Sequence, residues 1–343
     1  MPVRRLTQLD DARWDAYVDV HPHAHQYHRS AWKRIIERAF NHETHYLFSE
    51  SSSGAINGVL PLARLRSRMF GDFLVSVPYV NYGGCCADSK DVEQELLREG
   101  VRLASVLGVE HLEVRTETPR DMGLQVRSAK ASMRLPLGGS SERLWEQFPA
   151  KLRSQIKRAQ KEGLDVRVGR EEELDAFYRV FAVNMRDLGT PVYGREFFGA
   201  VLRELPNSSW VVTVNRGREP IAASVLLGFR DRIEIPWASS LRQYNKLSPN
   251  MLLYWHSLKF AADGGFEVFD FGRSTPDSGP YRFKAQWGAS PIPLHWHYWV
   301  RGNSTPPELN PNNPKYRLAI KVWQHLPVSV TRLIGPSIVK NLP

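Results

Sequence analysis

Residues 210–229, WVVTVNRGREPIAASVLLGF, decide the reading of the chain. Apolar and β-branched residues run on either side of RGREP, a turn signal, so two antiparallel strands are expected. After the RDR turn, IEIPWASS supplies a third strand and completes a meander. Residues 45–65, HYLFSESSSGAINGVLPLARL, repeat that order with the turn at the corresponding place. A chain of 343 residues has room for two domains, so the repeat reads as a tandem duplication of one α/β unit.

The surroundings of the two meanders agree. In FPAKLRSQIKRAQKEG, Phe148, Leu152, Ile156 and Ala159 recur at helical spacing, basic residues fill the other faces, and Gly163 is a stop. A second helix is expected from about Glu171 to Gly189, a third in REFFGAVLREL, and a fourth in SPNMLLYWHSLKFAADGG with Ser248 as N-cap and Pro249 first. EVFDFG reads as a strand, RSTPDSGPYRFKAQWGASP as a loop and IPLHWHYWV as a last strand. The first half runs through a strand (VRRLTQL), two helices, the meander, the helix DVEQELLREGVRLASVLG and the strands HLEVRTE and SAKASMRLPL. The expected domains are residues 1–138 and 139–301, each a mixed, largely antiparallel sheet flanked by helices. Residues 302–343 read as a Pro/Asn-rich connector and an amphipathic tail, expected to dock on the first domain. The tail's apolar and cationic residues also suit contact with an anionic membrane surface.

Composition narrows the class. At 42% hydrophobic and 24% charged the chain is ordinary globular protein. Its two cysteines are adjacent, Cys85 and Cys86, which excludes a disulfide framework and a four-cysteine zinc site. No run approaches the roughly 20 apolar residues of a membrane helix, and the N-terminus lacks a signal-peptide h-region. The expected location is the cytoplasm or the inner membrane face. A net charge of +10 favours an anionic partner: a phosphate-bearing co-substrate, a sugar nucleotide, nucleic acid or anionic lipid.

Residues 269–299, FDFGRSTPDSGPYRFKAQWGASPIPLHWHYW, concentrate the chemistry. A polar loop after a strand is where α/β proteins place functional groups. Lys284 is the expected stabiliser of a developing oxyanion, with Phe283 and Trp287 as aromatic partners for its ammonium. Asp270, Arg273 and Tyr281 are candidates for substrate binding or proton transfer, and Ser274 lies beside them. Other features are weaker. His21, His23, His25 and His28 match no known metal spacing, so no metal site is expected. Tyr82 with Gly83 and Gly84 suits either a loop that lets a ligand approach the backbone closely or a tight turn. His295 and His297 share one strand face.

The stretches FDFGRS…GPYRFKAQWGA, KLRSQIKRAQKEGLDV and SVPYVNYGG also carry a resemblance. The element order resembles the GNAT acetyltransferase superfamily. Over about residues 5–300 the chain resembles the FemA/FemB-type acyltransferases, nearest to the branch associated with exosortase and exopolysaccharide systems. The resemblance implies two GNAT-like domains and transfer of an acyl or aminoacyl group to an amine of a cell-envelope, peptidoglycan or exopolysaccharide precursor. By analogy Phe283 and Lys284 match the family's Phe-Lys motif, and Arg153 and Lys157 sit where basic groups meet phosphates. The implied partners are a UDP-sugar or glycan acceptor and an activated donor (acyl-CoA, acyl-carrier protein or aminoacyl-tRNA), with no bound cofactor and no DNA. Two departures stand out: no long helical hairpin interrupts the second domain, and RQYNKLSPN lacks the glycines of an acetyl-CoA pyrophosphate loop. The alternatives are a non-catalytic nucleotide-sugar or polysaccharide-binding module and an RNA-binding protein using the basic helix.

Overall fold

The computed structural model describes residues 3–67, 70–303, 305 and 314–342. In chain order the first elements are β1 (Val3–Arg5), α1 (Asp11–Val20), α2 (Ala31–Phe40), β2 (Glu43–Glu50), β3 (Ile56–Ser67), β4 (Gly71–Val75), β5 (Cys86–Ala87), α3 (Lys90–Leu107), β6 (His111–Thr116) and β7 (Gln125–Arg127). There follow β8 (Ala131–Pro136), α4 (Ser141–Gln147), α5 (Ala150–Gln160), β9 (Asp165–Gly169), α6 (Leu174–Leu188), α7 (Arg195–Glu204), β10 (Ser209–Arg216), β11 (Glu219–Phe229) and β12 (Arg232–Ser240). The last are α8 (Pro249–Asp263), β13 (Val268–Ser274), α9 (Gly279–Ala285), β14 (Ser290–Pro293), β15 (His295–Val300), α10 (Pro314–His325) and α11 (Val328–Val339). The chain forms two compact units, one of Met1–Ala129, Pro293–Leu309 and Lys340–Pro343, the other of Lys130–Ile292 and Asn310–Val339.

The first unit holds a sheet in the order β1-β2-β3-β4-β6-β15-β7, with β5 on β3. Its described pairings are antiparallel except β4 with β6, where Phe73 faces His111. Helix α3 packs Val92, Leu96, Leu97 and Leu103 against Leu60, Leu62, Leu74 and Leu112 of the sheet. The helix starts where Ser89 accepts from the Val92 N–H and stops at Gly108, in the left-handed conformation.

The second unit repeats the plan: β14-β8-β13-β12-β11-β10-β9, with β12 and β13 parallel. Strand β11 is buried without alternation from Pro220 to Phe229, because both sheet faces are covered; α6 and α8 both lie along β10–β12. The core around α8 joins Leu252, Leu253 and Leu258 to Val212, Val214, Phe269, Phe271 and the α5 residues Leu152 and Ile156. The mixed α/β architecture, with its duplicated sheets, is the expected one.

Three expectations are corrected. First, the boundary at residue 138 does not separate the sheets. Strand β8, read as part of the first domain, is hydrogen-bonded to β13 in the second sheet. Strand β15, read as part of the second, lies between β6 and β7 in the first. IPLHWHYWV is therefore two strands in two sheets, β14 and β15. Second, the expected tail is divided: α10 and α11 pack on α6 of the second unit, whereas Lys340–Pro343 belong to the first, where the Lys340 carbonyl accepts from the Tyr79 hydroxyl at 2.6 Å. Ile320 fills the space beside Gly189, where a Cβ would come within 2.4 Å of it, and Gly335 lies against Val192. Gln324 Nε2 donates to the Asp187 carbonyl at 3.1 Å. Most of the expected connector lies outside the described residues. Third, Ser248 precedes α8 in the left-handed region and its side chain caps nothing, while Pro249 opens the helix as expected.

Candidate active site

The expected loop after β13 contains a helix. Ser278 Oγ accepts from the Tyr281 N–H, Pro280 sits in the first turn, and α9 runs to Ala285. This short helix carries Tyr281, Phe283 and Lys284 back beside β13. Lys284 is 8% exposed, and its Nζ donates to the carbonyls of Gly272 at 2.9 Å and Arg273 at 3.0 Å. Burial pushes its ammonium down to about 8; Asp270 and Glu234 oppose that shift and Arg273 adds to it. Two carbonyls use two of the three ammonium N–H groups. One N–H remains over.

Asp270 is fully buried and crowded with donors. Ser132 Oγ donates to Oδ1 at 2.5 Å, the Gly272 N–H donates to the same oxygen at 2.8 Å, and Arg134 Nε donates to Oδ2 at 3.0 Å. Three donors on one carboxylate suit a positioning group better than a proton acceptor. Glu234, also buried, lies opposite Asp270 across the parallel strands. Two buried carboxylates beside one buried lysine and one arginine make a polar core below the β13 terminus.

The expected aromatic grip on Lys284 is not formed. Phe283 turns into the core, edge-on to Tyr254 at 5.0 Å and to Trp287 at 6.2 Å between centroids. Backbone carbonyls hold the ammonium instead, because the α9 turn aims Lys284 at β13 and Phe283 away from it. Trp287 is buried against Phe148 and Tyr254, so it packs the site's floor. Ser274 is buried with no partner for its hydroxyl, Arg273 is exposed, and Tyr281 is half-buried. All lie at the β13–α9 corner.

Arg153 and Lys157 lie on α5 of the same unit, half-buried and exposed respectively; Lys157 Nζ stands 6.0 Å from the centre of the Trp145 ring. The 242–250 stretch that would cradle pyrophosphate is a 3-10 turn, Arg242–Leu247, leading into α8.

Tyr82, Gly83 and Gly84 belong to the first unit and are buried there. Of the two readings of this stretch the close-packed turn is the one the contacts favour: a Cβ on Gly84 would stand 2.5 Å from the Arg115 carbonyl, and one on Gly83 2.7 Å from Val77. These glycines permit protein backbones to pass closely. The neighbouring histidines serve the same packing. His25 N–H donates to His28 Nδ1 at 2.9 Å, so His28 Nε2 carries a proton and meets the Gly84 carbonyl at 3.0 Å. Tyr82 lies 5.0 Å from the His25 ring. His297 is buried, with Nε2 at 3.2 Å from Thr116 Oγ1. Among the described residues no group of three or more His, Cys, Asp or Glu could hold a metal.

Ser132, Arg134 and Glu234 are the site residues that sequence reasoning missed. The signal for the first two was in SAKASMRLPL, where Ser132 and Arg134 alternate with apolar residues on one strand face.

Sequence comparison points the same way as this geometry. Residues 73–214 match the model of the FemAB family, and residues 147–285 match the acetyltransferase (GNAT) domain. No curated protein matches the chain. Among solved structures, FemX superposes with a TM-score of 0.65 at 14% identity, over 86% of this chain and 97% of that one. The C-terminal domain of a putative lysylphosphatidylglycerol synthetase from Agrobacterium fabrum gives 0.57 at 14% identity, over 86% and 92%. A tandem GNAT protein from the clavulanic acid biosynthesis pathway gives 0.56 at 14%, over 89% and 99%. At such identities the likeness is one of fold.

Proposed function

We propose that this chain, which belongs to the FemAB family and is an acyltransferase of the GNAT fold, moves an acyl or aminoacyl group to an amine of a cell-envelope precursor. The acyl donor arrives as a co-substrate. The neutral amine attacks the donor's carbonyl carbon, the C–O or C–S bond to the carrier breaks, and the departing oxygen or sulfur takes up the proton that the amine sheds. Lys284 meets the oxyanion with its remaining N–H. Asp270 keeps Lys284 charged and placed, itself fixed by Ser132 and Arg134. Arg273, Ser274 and Tyr281 line the approach; Phe283 and Trp287 pack behind it. Arg153 and Lys157 are the phosphate-facing cations of the donor or of a UDP-sugar acceptor.

The observation that carries the reading is the buried Lys284 ammonium, anchored by two carbonyls at the end of β13. The glycine-free 242–250 stretch favours a donor other than acetyl-CoA, such as aminoacyl-tRNA or an acyl-carrier protein. It equally favours a non-catalytic binder of nucleotide sugars or polysaccharide. Mass spectrometry of reactions pairing acyl-CoA, acyl-carrier protein and aminoacyl-tRNA with UDP-amino-sugars and glycan amines decides between them. A product whose formation falls about 100-fold or more in Lys284→Ala is expected. Thermal stabilisation by an acceptor alone, with no product from any donor, would replace the transferase with the binding module.

A further inference from the structure

We infer that the outward faces of α10 and α11 form a docking surface for an anionic lipid bilayer. Both helices pack on α6. On α11 the inward positions Thr331, Gly335 and Val339 recur at one-turn spacing and are buried. On α10 Trp323 is buried. That packing leaves a second apolar stripe with nothing over it among the described residues. Leu318 is 71% exposed and Leu333 79%. Val322 follows Leu318 by one turn, and Val330, Leu333 and Ile334 share the solvent side of α11. Large aliphatic side chains at this exposure are costly on a surface that meets only water.

Charge selects the occupant. From residue 309 to the C-terminus the chain contains Lys315, Arg317, Lys321, Arg332 and Lys340 and no aspartate or glutamate. Arg317 and Lys321 alternate with Leu318 and Val322 on the exposed side of α10, whereas Arg332 of α11 lies over the Tyr178 ring at 5.1 Å. Aliphatic tips between cations match the acyl boundary and headgroups of an anionic leaflet. No described helix is long and apolar enough to cross a membrane, so the helices would lie in the interface plane. RNA would use the cations but not the aliphatic tips, since base stacking needs exposed aromatic rings.

Co-sedimentation of the full chain with vesicles of phosphatidylcholine, alone and mixed with phosphatidylglycerol, tests this. Binding is expected to the mixed vesicles only. Leu318→Ser with Leu333→Ser should weaken it about tenfold or more, and Lys321→Gln about fivefold. Both variants should melt like the parent, because the replaced side chains stand in solvent. Absence of binding to mixed vesicles overturns the inference. So does binding that the double serine variant leaves intact. Two further results would also overturn it: RNA binding that Lys321→Gln alone weakens without any vesicle binding, or a concentration-dependent dimer that the serine variant abolishes.

Discussion

Arg134 Nε reaches Asp270 Oδ2 at 3.0 Å although 136 residues separate them in the chain. The pair ties β8 to β13 directly beneath Lys284, and Asp270 is fully buried. Removing the arginine would leave that carboxylate short of a counter-charge in a low-dielectric core.

Arg134→Ala is therefore expected to lower stability by about 3 kcal/mol. Chemical denaturation measures it. A loss below about 0.5 kcal/mol, the range of ordinary surface changes, would show that Ser132 and the Gly272 N–H hold Asp270 without help.

Lys284 must be protonated to meet an oxyanion. Its ammonium is pushed down to about 8, so turnover should fall as pH rises through about 8, provided the acceptor amine is already neutral. Stability should move the other way. Between about 8 and the ordinary lysine value of 10.5 the unfolded chain binds the proton that the folded chain has released, so folding strengthens with rising pH in that window. Lys284→Met should remove both effects, read from a pH–rate profile and from melting curves.

His297 and His28 are buried and neutral, pushed down to about 4 and about 3. Both would protonate in the unfolded chain near the ordinary value of 6.5. Their contribution is complete above that value and is lost as pH falls through the window below it, at up to about 1.4 kcal/mol per pH unit for each histidine. A His297→Gln variant should show a shallower loss of melting temperature between neutral pH and about pH 4. An unchanged slope would mean that His297 gains a proton without cost.

Gly84→Ala should cost about 2 kcal/mol or more, since its Cβ would stand 2.5 Å from the Arg115 carbonyl and backbone cannot swing aside. A melting curve suffices. Parent-like stability would show that β6 shifts to accommodate the methyl group.

Periodicity revealed the duplication, the meanders and most helices, because hydrophobic spacing is local information. Strand partners are not local. Residues 131–136 and 295–300 read correctly as strands, yet nothing within either stretch names the sheet it joins. The side chains of the corner after β13 were legible as a polar cluster, and there Asp270 lies within electrostatic reach of Lys284, while Trp287 packs on Phe148 and Tyr254. The corner's backbone was misread: Ser278 followed by Pro280 is a helix start, hidden by the surrounding glycines and prolines. The groups that hold Lys284 are main-chain carbonyls, which leave no trace in residue type. Arg134 and Ser132 were visible only as polar residues in an apolar strand.

The exchange of β8 and β15 governs the order in which the protein can assemble. Thr116 and His295, joined through a hydroxyl–carbonyl hydrogen bond, are 179 residues apart. As the chain leaves the ribosome, β6 is made early and its neighbour β15 only near the end. The first sheet thus waits, with β6 unpaired on one side, while Lys130–Ile292 of the second unit are synthesised. An expression fragment ending at residue 138 would keep β8 without its partner β13 and lack the strand between β6 and β7. Supplied together, two fragments split at that point would have to find each other before either could close its sheet.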